Sequence, residues 1–326
     1  MKAFILEQFG QPLKLAEVPA PEAGPGQVLV RVGASGVNPL DLKIKAGAAG
    51  HAKAVLPAIL GIDLAGTVEA VGAGVTAFRA GDEVYGLTGG VGGVPGSLAE
   101  YAAVDADLLA LKPKRYSMRQ AAAIPLAFIT AWEGLVDRAR VQGGEQVLIH
   151  AGAGGVGHMA VQLAAAYGAD VYATVSVGKQ AIVESYGAVP IDYKSETTAQ
   201  YVGRCTGGRG FDVVYDTVGG QTLDESFQAV KSYTGRVVSC LGWGTHALAP
   251  LSFRAATYSG VFTLLPLLTG QGRAHHGAIL REASRLADAG KLTPLLDAAE
   301  FPLSSIEEAH ELVASGGAQG KVVVTL

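Results

Sequence analysis

Residues 147–157 read Val-Leu-Ile-His-Ala-Gly152-Ala-Gly154-Gly155-Val-Gly157, and this stretch decides the fold. A short apolar strand over 146–150 runs into a glycine cluster, and residues 156–167 carry a helical pattern directly after it. Gly152, Gly154 and Gly157 satisfy G-x-G-x-x-G in the setting where that spacing is informative, between a strand and a helix. Without Cβ atoms the turn can be tight, and a pyrophosphate can approach the backbone. The amides and dipole of the helix N-terminus then favour its negative charge. Glycines that merely close a tight turn are the alternative. Strand, spacing and helix together favour a dinucleotide.

Outward from the turn, short apolar strands alternate with helices. Strands are expected at 170–175, 211–215 and 235–240, and helices at 121–141, 179–186 and 222–231. Such alternation implies βαβ units around a parallel sheet, an α/β doubly wound Rossmann arrangement. The chain before it has another texture. Short β runs at 2–7, 27–34, 66–71, 83–85 and 98–104 are separated by dense Gly and Pro punctuation, which suggests a small antiparallel barrel or sandwich. Near the end, 305–315 reads as an amphipathic helix and 321–326 as a strand needing a partner. The tail is therefore expected to return to the first domain. The predicted division is 1–118 with 297–326, and 119–296 for the dinucleotide domain.

Composition narrows the function. Of 326 residues 49% are apolar and 17% charged, enough for large cores and too little charge for a disordered chain. The 45 glycines show no collagen period, so they serve turns and close approaches. A net charge of −4 without any basic block argues against a nucleic-acid partner. No apolar run is long enough to span a bilayer. Two cysteines, Cys205 and Cys240, leave no room for a disulfide framework, and a cytoplasmic location is expected.

The second strand bears on the coenzyme. An NAD enzyme wants an acid at its carboxyl end to hold the ribose hydroxyls. Here Asp170 stands at the opposite end, and the segment closes with Ser176-Val-Gly-Lys179. A hydroxyl and an ammonium suit a 2′-phosphate, so NADPH is expected. Seven histidines and two cysteines form no metal-ligand spacing, and no metal is expected.

Several stretches together resemble one family. They are Gly36-Val-Asn38-Pro39-Leu-Asp41, Leu60-Gly61-Ile-Asp63-Leu-Ala-Gly66, Gly81-Asp82-Glu-Val84-Tyr85 and Gly96-Ser-Leu-Ala-Glu100-Tyr101. Thr130-Ala131, 151–157, Asp212-Val-Val-Tyr-Asp216 and Gly320-Lys321 follow in the same order. Over essentially its whole length the chain resembles the zinc-independent quinone oxidoreductases of the medium-chain dehydrogenase/reductase superfamily. The resemblance implies a GroES-like β-barrel domain, a Rossmann domain, NADPH in a cleft between them, and a homodimer formed through the Rossmann sheet edge. The zinc branch carries Cys and His where this chain has Asn38 and Ile62.

Carried over by position, the resemblance implies Asn38 beside the nicotinamide and Thr130 near its ribose and phosphate. It implies Gly152, Ala153, Gly154, Gly155, Val156 and Gly157 as the phosphate turn. Ser176, Lys179 and Tyr193 would grip the 2′-phosphate. Val218, Leu241, Gly242 and Leu264 would contact the nicotinamide half through their backbone. Quinone reductases of the family have tyrosines after the Asn-Pro pair. Asp41-Leu-Lys43-Ile-Lys45 is closer to its enone and alkenal reductases.

Without a Lewis acid an isolated carbonyl is hard to polarise, whereas a quinone or an α,β-unsaturated carbonyl spreads the developing charge. A hydride reductase of such small molecules is the expected function. Candidate catalytic residues are Lys43 as donor to a substrate oxyanion, Asn38 next, and Asp41. Each has a plainer alternative: a surface lysine, a turn-forming Asn-Pro, and a hydrogen-bonded structural carboxylate. Trp132 and Trp243 are expected to pack, and the glycine-rich loop 86–96 is either a cover or a passive turn. A reductase with little quinone activity and a non-catalytic, crystallin-like NADPH-binding protein are the rival functions.

Overall fold

A computed structural model describes residues 1–326, which fall into two units: Met1–Leu126 with Leu264–Leu326, and Ala127–Thr263. The second unit is built on six parallel strands. Their spatial order is Val189–Asp192, Asp170–Val175, Gln146–Ile149, Val213–Asp216, Arg236–Ser239 and Thr257–Gly260. Counted along the chain this is 3-2-1-4-5-6, the doubly wound order of a Rossmann sheet. Gln146–Ile149 and Val213–Asp216 lie side by side where the winding reverses, and ligands of such sheets bind beyond the carboxyl ends at that point. The central strands are buried and apolar over residues 147–149 and 213–215, as strands covered on both faces are, with polar residues at their ends. Leu148, Val214 and Val237 share one core with Phe211 and Phe227.

The helix expected over 121–141 is three pieces: Met118–Ala122, Pro125–Trp132, and a π-helical turn Glu133–Arg138. Pro125 has no amide to continue the first piece. The second change has a packing cause. The Tyr215 hydroxyl donates to the Thr130 carbonyl at 2.6 Å, the oxygen an α-helix would assign to the Gly134 amide. A Cβ on Gly134 would lie 2.5 Å from the Tyr215 ring, so only glycine admits it.

In the first unit, Gln27–Gly36 is the central strand of an antiparallel sheet. It pairs with Asp63–Val71 on one side, and with Tyr101–Asp105 and Val323–Thr325 on the other. Asp63–Val71 continues to Glu83–Leu87 and that strand to Leu109–Leu111. A smaller sheet holds Lys14–Glu17, Lys2–Leu6 and Ala58–Ile59. The terminal strand thus finds its partner at Ala34–Gly36, almost the whole chain length away.

The boundary differs from the sequence expectation. Residues 264–296, assigned there to the dinucleotide domain, and 119–126 belong to the barrel unit. Helix Arg273–Asp288 packs on the barrel: Tyr85 donates to the Leu280 carbonyl at 2.7 Å, and Ser284 to that of Leu111 at 2.8 Å. Gly277 makes this approach possible, since a Cβ there would meet the Asp107 carbonyl at 2.5 Å. Within 86–96 the chain is a hydrogen-bonded turn, Gly90 to Val94 at 2.9 Å, tied to the Ala52 carbonyl through Gly92. Trp132 packs against Phe128 and Tyr167, but Trp243 is half exposed beside Phe262.

Candidate active site

The glycine turn is shaped by backbone contacts. Ala151 adopts a positive φ of 52°, which turns the chain sharply off the strand. Thr174 on the neighbouring strand fastens that turn, its hydroxyl accepting from the Ala151 amide and its carbonyl from Gly152, both at 2.9 Å. A Cβ on Gly157 would sit 2.0 Å from the Ala151 carbonyl oxygen, and one on Gly152 would sit 2.5 Å from the Ala173 methyl. These two glycines are packing requirements. Gly154 and Gly155 are exposed instead, at the mouth of helix Gly155–Ala166, whose first-turn amides have no acceptor within the helix. Ala153 is buried and Val156 half-buried.

The loop opposite is held by a carboxylate. Asp216, fully buried at the end of its strand, accepts from the amides of Val218 (3.0 Å) and Gly219 (2.9 Å) and from the Ser239 hydroxyl (2.6 Å). Ser239 in turn accepts from the Leu241 amide at 3.0 Å, and Thr217 donates to the His150 carbonyl at 2.7 Å. Val218 and Leu241 are thereby fixed just beyond the carboxyl ends of two adjacent strands, and Gly242 follows Leu241. The His150 ring is buried beside Thr174, and burial lowers its pKa to about 4 against the pull of Asp216, so it is neutral at neutral pH. Thr130 is buried, its hydroxyl 3.0 Å from that of Thr263. Leu264, also buried, lies in the other unit.

Sheet register sets Ser176 beside Tyr193, and the Lys179 amide donates to the Ser176 carbonyl at 2.9 Å. Val175 and Asp192 are aligned partners, so Ser176 and Tyr193 each stand one residue beyond a matched pair. Lys179 ends the short helix Val177–Lys179 that Ser176 begins. No acid stands at the carboxyl end of Asp170–Val175.

In the barrel unit, Asn38 caps helix Pro39–Lys45 within a buried polar cluster. Its amide nitrogen Nδ2 donates to Asp63 Oδ2 (2.9 Å) and to the Gly36 carbonyl (3.3 Å), while Oδ1 accepts from Lys321 Nζ. Asn38 therefore has no free hydrogen for a substrate oxygen, which corrects the expectation that it could serve as an oxyanion donor. Asp63 also accepts from the Leu126 amide at 2.8 Å and lies 3.6 Å from Lys321 Nζ. Asp41 Oδ2 accepts from the Asn38 backbone amide at 2.8 Å, and its Oδ1 is buried without a partner. Burial, aided by the charge of Asp63, pushes the Asp41 carboxyl up to about 7 against the Asn38 amide and Lys321. Lys43 is exposed on the same helix and no carboxylate pairs with it.

The shift of Asp41 has a defined sign. A carboxyl whose pKa is raised on folding favours the native state below its unfolded value, and that contribution is lost as pH rises towards the folded value. Wild-type stability should therefore fall relative to Asp41→Asn between about pH 4 and pH 7 and stay flat above. Urea midpoints of both proteins across that range test it; a constant difference would refute it.

Ile62 and an Asn38 amide already engaged on both sides are not a zinc donor set. No group of three or more His, Cys, Asp or Glu side chains comes together in a way that could hold a metal ion. No helix is long and apolar enough to cross a membrane.

Two family models match: an alcohol dehydrogenase GroES-like domain over residues 24–114 and a zinc-binding dehydrogenase over residues 186–324. The NADPH-dependent alkenal/one oxidoreductase of Arabidopsis thaliana is 36% identical across 99% of this chain and 79% of its own. Human quinone oxidoreductase is 30% identical across 100% and 98%. A solved alcohol dehydrogenase superfamily protein from Novosphingobium aromaticivorans is 55% identical, covering 100% of this chain and 99% of its own, with a TM-score of 0.98. These relatives, on a fold with that sheet order and glycine turn, make the chain an oxidoreductase that works with a nicotinamide cofactor. More narrowly, the chain belongs to the quinone oxidoreductase family of the medium-chain dehydrogenase/reductase superfamily.

Proposed function

We propose that the protein is an NADPH-dependent, zinc-independent reductase of conjugated carbonyls, enones and alkenals ahead of quinones. The observation that carries this reading is the glycine turn at the sheet's switch point, with Ser176 and Tyr193 just beyond the neighbouring strand ends and Lys179 closing the short helix that Ser176 caps. Gly152 to Gly157 with Ala153 and Val156 would hold the pyrophosphate against the first-turn amides. Ser176, Lys179 and Tyr193 would hold the 2′-phosphate: no acid closes strand Asp170–Val175 itself, and the carboxylate of Asp192 on the adjacent strand accepts from the Lys194 amide at 3.1 Å. Within the Rossmann unit Thr130, Val218, Leu241 and Gly242 would meet the nicotinamide half, and within the barrel unit the resemblance assigns that role to Asn38 and Leu264. When bound, the reduced coenzyme supplies a hydride. The chain's part is to orient the acceptor, exclude water and offer a donor to the substrate oxygen, for which Lys43 is unpaired while Asn38 and Asp41 are held in their cluster. A proton from water completes the reduced product. The two curated plant relatives at 36% identity, one named a 2-methylene-furan-3-one reductase, favour enones over quinones as acceptors.

Acrolein and menadione offered with NADPH test the reading directly: oxidation of the coenzyme by acrolein, faster than by menadione, is expected. Binding without oxidation of NADPH by either would favour a non-catalytic, crystallin-like role instead. For the coenzyme grip, Lys179→Ala should weaken NADPH roughly tenfold or more and leave NADH unchanged, the loss of one charge-assisted bond. An unchanged NADPH/NADH ratio in titrations removes Lys179 from the 2′-phosphate site.

The protein is read further as a cytoplasmic homodimer. Both cysteines are free, as suits a reducing compartment. The outer edge of Thr257–Gly260 has no strand partner, and Trp243, Tyr258 and Phe262 are partly exposed on and beside it. Light scattering should give twice 33.3 kDa; a single chain mass would end the proposal.

A further inference from the structure

We infer that Lys321 is a positioning residue of the reductase, holding the Asn38 amide one way round through a buried ammonium that also balances Asp63. The inference rests on the reading that Asn38 serves the nicotinamide end of the site. An asparagine amide has nearly the same shape either way round, so its orientation is set by its partners. Here they are unambiguous: Lys321 can only donate and the Asp63 carboxylate can only accept, which places Oδ1 on the first and Nδ2 on the second. Lys321 Nζ also donates to the Val37 carbonyl at 3.3 Å, the residue just before Asn38.

The lysine is itself held firmly. Its amide donates to the Leu295 carbonyl at 2.7 Å, and its carbonyl accepts from the Asp297 amide at 3.0 Å. Gly320 permits that approach, since a Cβ there would lie 2.6 Å from the Leu295 oxygen. From this anchor the side chain enters a cluster in which Asp41, Asp63 and Lys321 are all more than nine-tenths buried. A buried lysine kept by two carboxylates is costly unless its charge and hydrogen bonds are used. Its ammonium touches Asn38 and Val37 and faces Asp63, so the side chain acts on the segment that begins helix Pro39–Lys45.

The test compares Asn38→Ala, Lys321→Met and the double variant of the full chain, assayed with NADPH and acrolein. Lys321→Met should lower kcat by up to about 100-fold with KM nearly unchanged, as misplacement of a contact group does. The double variant should be no slower than Asn38→Ala alone, because the lysine acts through the asparagine. Lys321→Arg, which keeps a cationic donor, should recover part of the rate. Unchanged kcat in Lys321→Met, or losses that simply add, would overturn the proposal. Full activity of Asn38→Ala would instead remove Asn38 from the site, and with it the functional premise. If Lys321→Met does not fold, amide hydrogen exchange on the unmodified protein decides: Asn38 side-chain hydrogens should be protected, and fast exchange overturns the arrangement.

Discussion

Gly157→Ala should abolish coenzyme binding and destabilise the Rossmann unit by about 1–3 kcal/mol, the usual result of overpacking. Alanine in a helix is ordinarily about 1 kcal/mol better than glycine, so propensity alone predicts the opposite sign. The clash wins because the new methyl would meet a backbone oxygen, that of Ala151, at 2.0 Å, and a carbonyl in a fastened turn cannot rotate away. Either the turn opens or the helix retreats, and both move the first-turn amides. Gly203→Ala, in helix Thr198–Thr206 with open space around it, is the control and should gain roughly 0.5–1 kcal/mol. NADPH fluorescence titration and urea unfolding of both variants check this. Wild-type NADPH affinity in Gly157→Ala would show that the turn does not hold the coenzyme as described.

Asp63→Ala should cost about 3–5 kcal/mol, the largest single effect expected in the barrel unit, because it leaves the Lys321 ammonium buried without its facing charge. The Leu126 amide and one Asn38 hydrogen lose their acceptor as well. Adding Lys321→Met to Asp63→Ala should recover part of the loss, since a buried pair replaced on both sides is far less costly than one broken on one side. Urea unfolding of the two single variants and the double one supplies the coupling. A loss below about 1 kcal/mol for Asp63→Ala, within the range of exposed pairs, would show that the cluster is hydrated and not the dry network described.

The glycine turn, the parallel strands and the reach of the tail were all visible as local pattern, because they depend on which residues lack a Cβ and which runs are apolar. Ser176 and Tyr193 were singled out from sequence, but only register shows why they stand together: they follow the matched residues Val175 and Asp192. Other features carried a weaker signal. Helix Arg273–Asp288 was not predicted, and its Gly277, a helix-weakening residue in isolation, is the contact point with the barrel. The edge strand Thr257–Gly260 is largely exposed and lacks an apolar alternation. Asp216 stood in a recognised stretch, yet its hold on Val218 and Gly219 depends on a loop folding back over it; an acid closing an apolar strand just before Gly-Gly was the available cue. Thr174, Thr217 and Ser239 gave no cue, since hydroxyls are common and their partners lie on other strands.

By itself the sequence determined the two architectures and the glycine turn between strand and helix. These follow from periodicity, glycine spacing and side-chain chemistry within a few dozen residues. The tertiary structure alone decided where the units divide, why the helix after Pro125 widens around Tyr215, and that Asn38 spends its hydrogens on Asp63 and Gly36 while Lys321 turns its oxygen inward. Those outcomes depend on contacts between residues far apart in the chain, where burial strengthens every unmatched charge and every excess methyl group, and no local pattern records them.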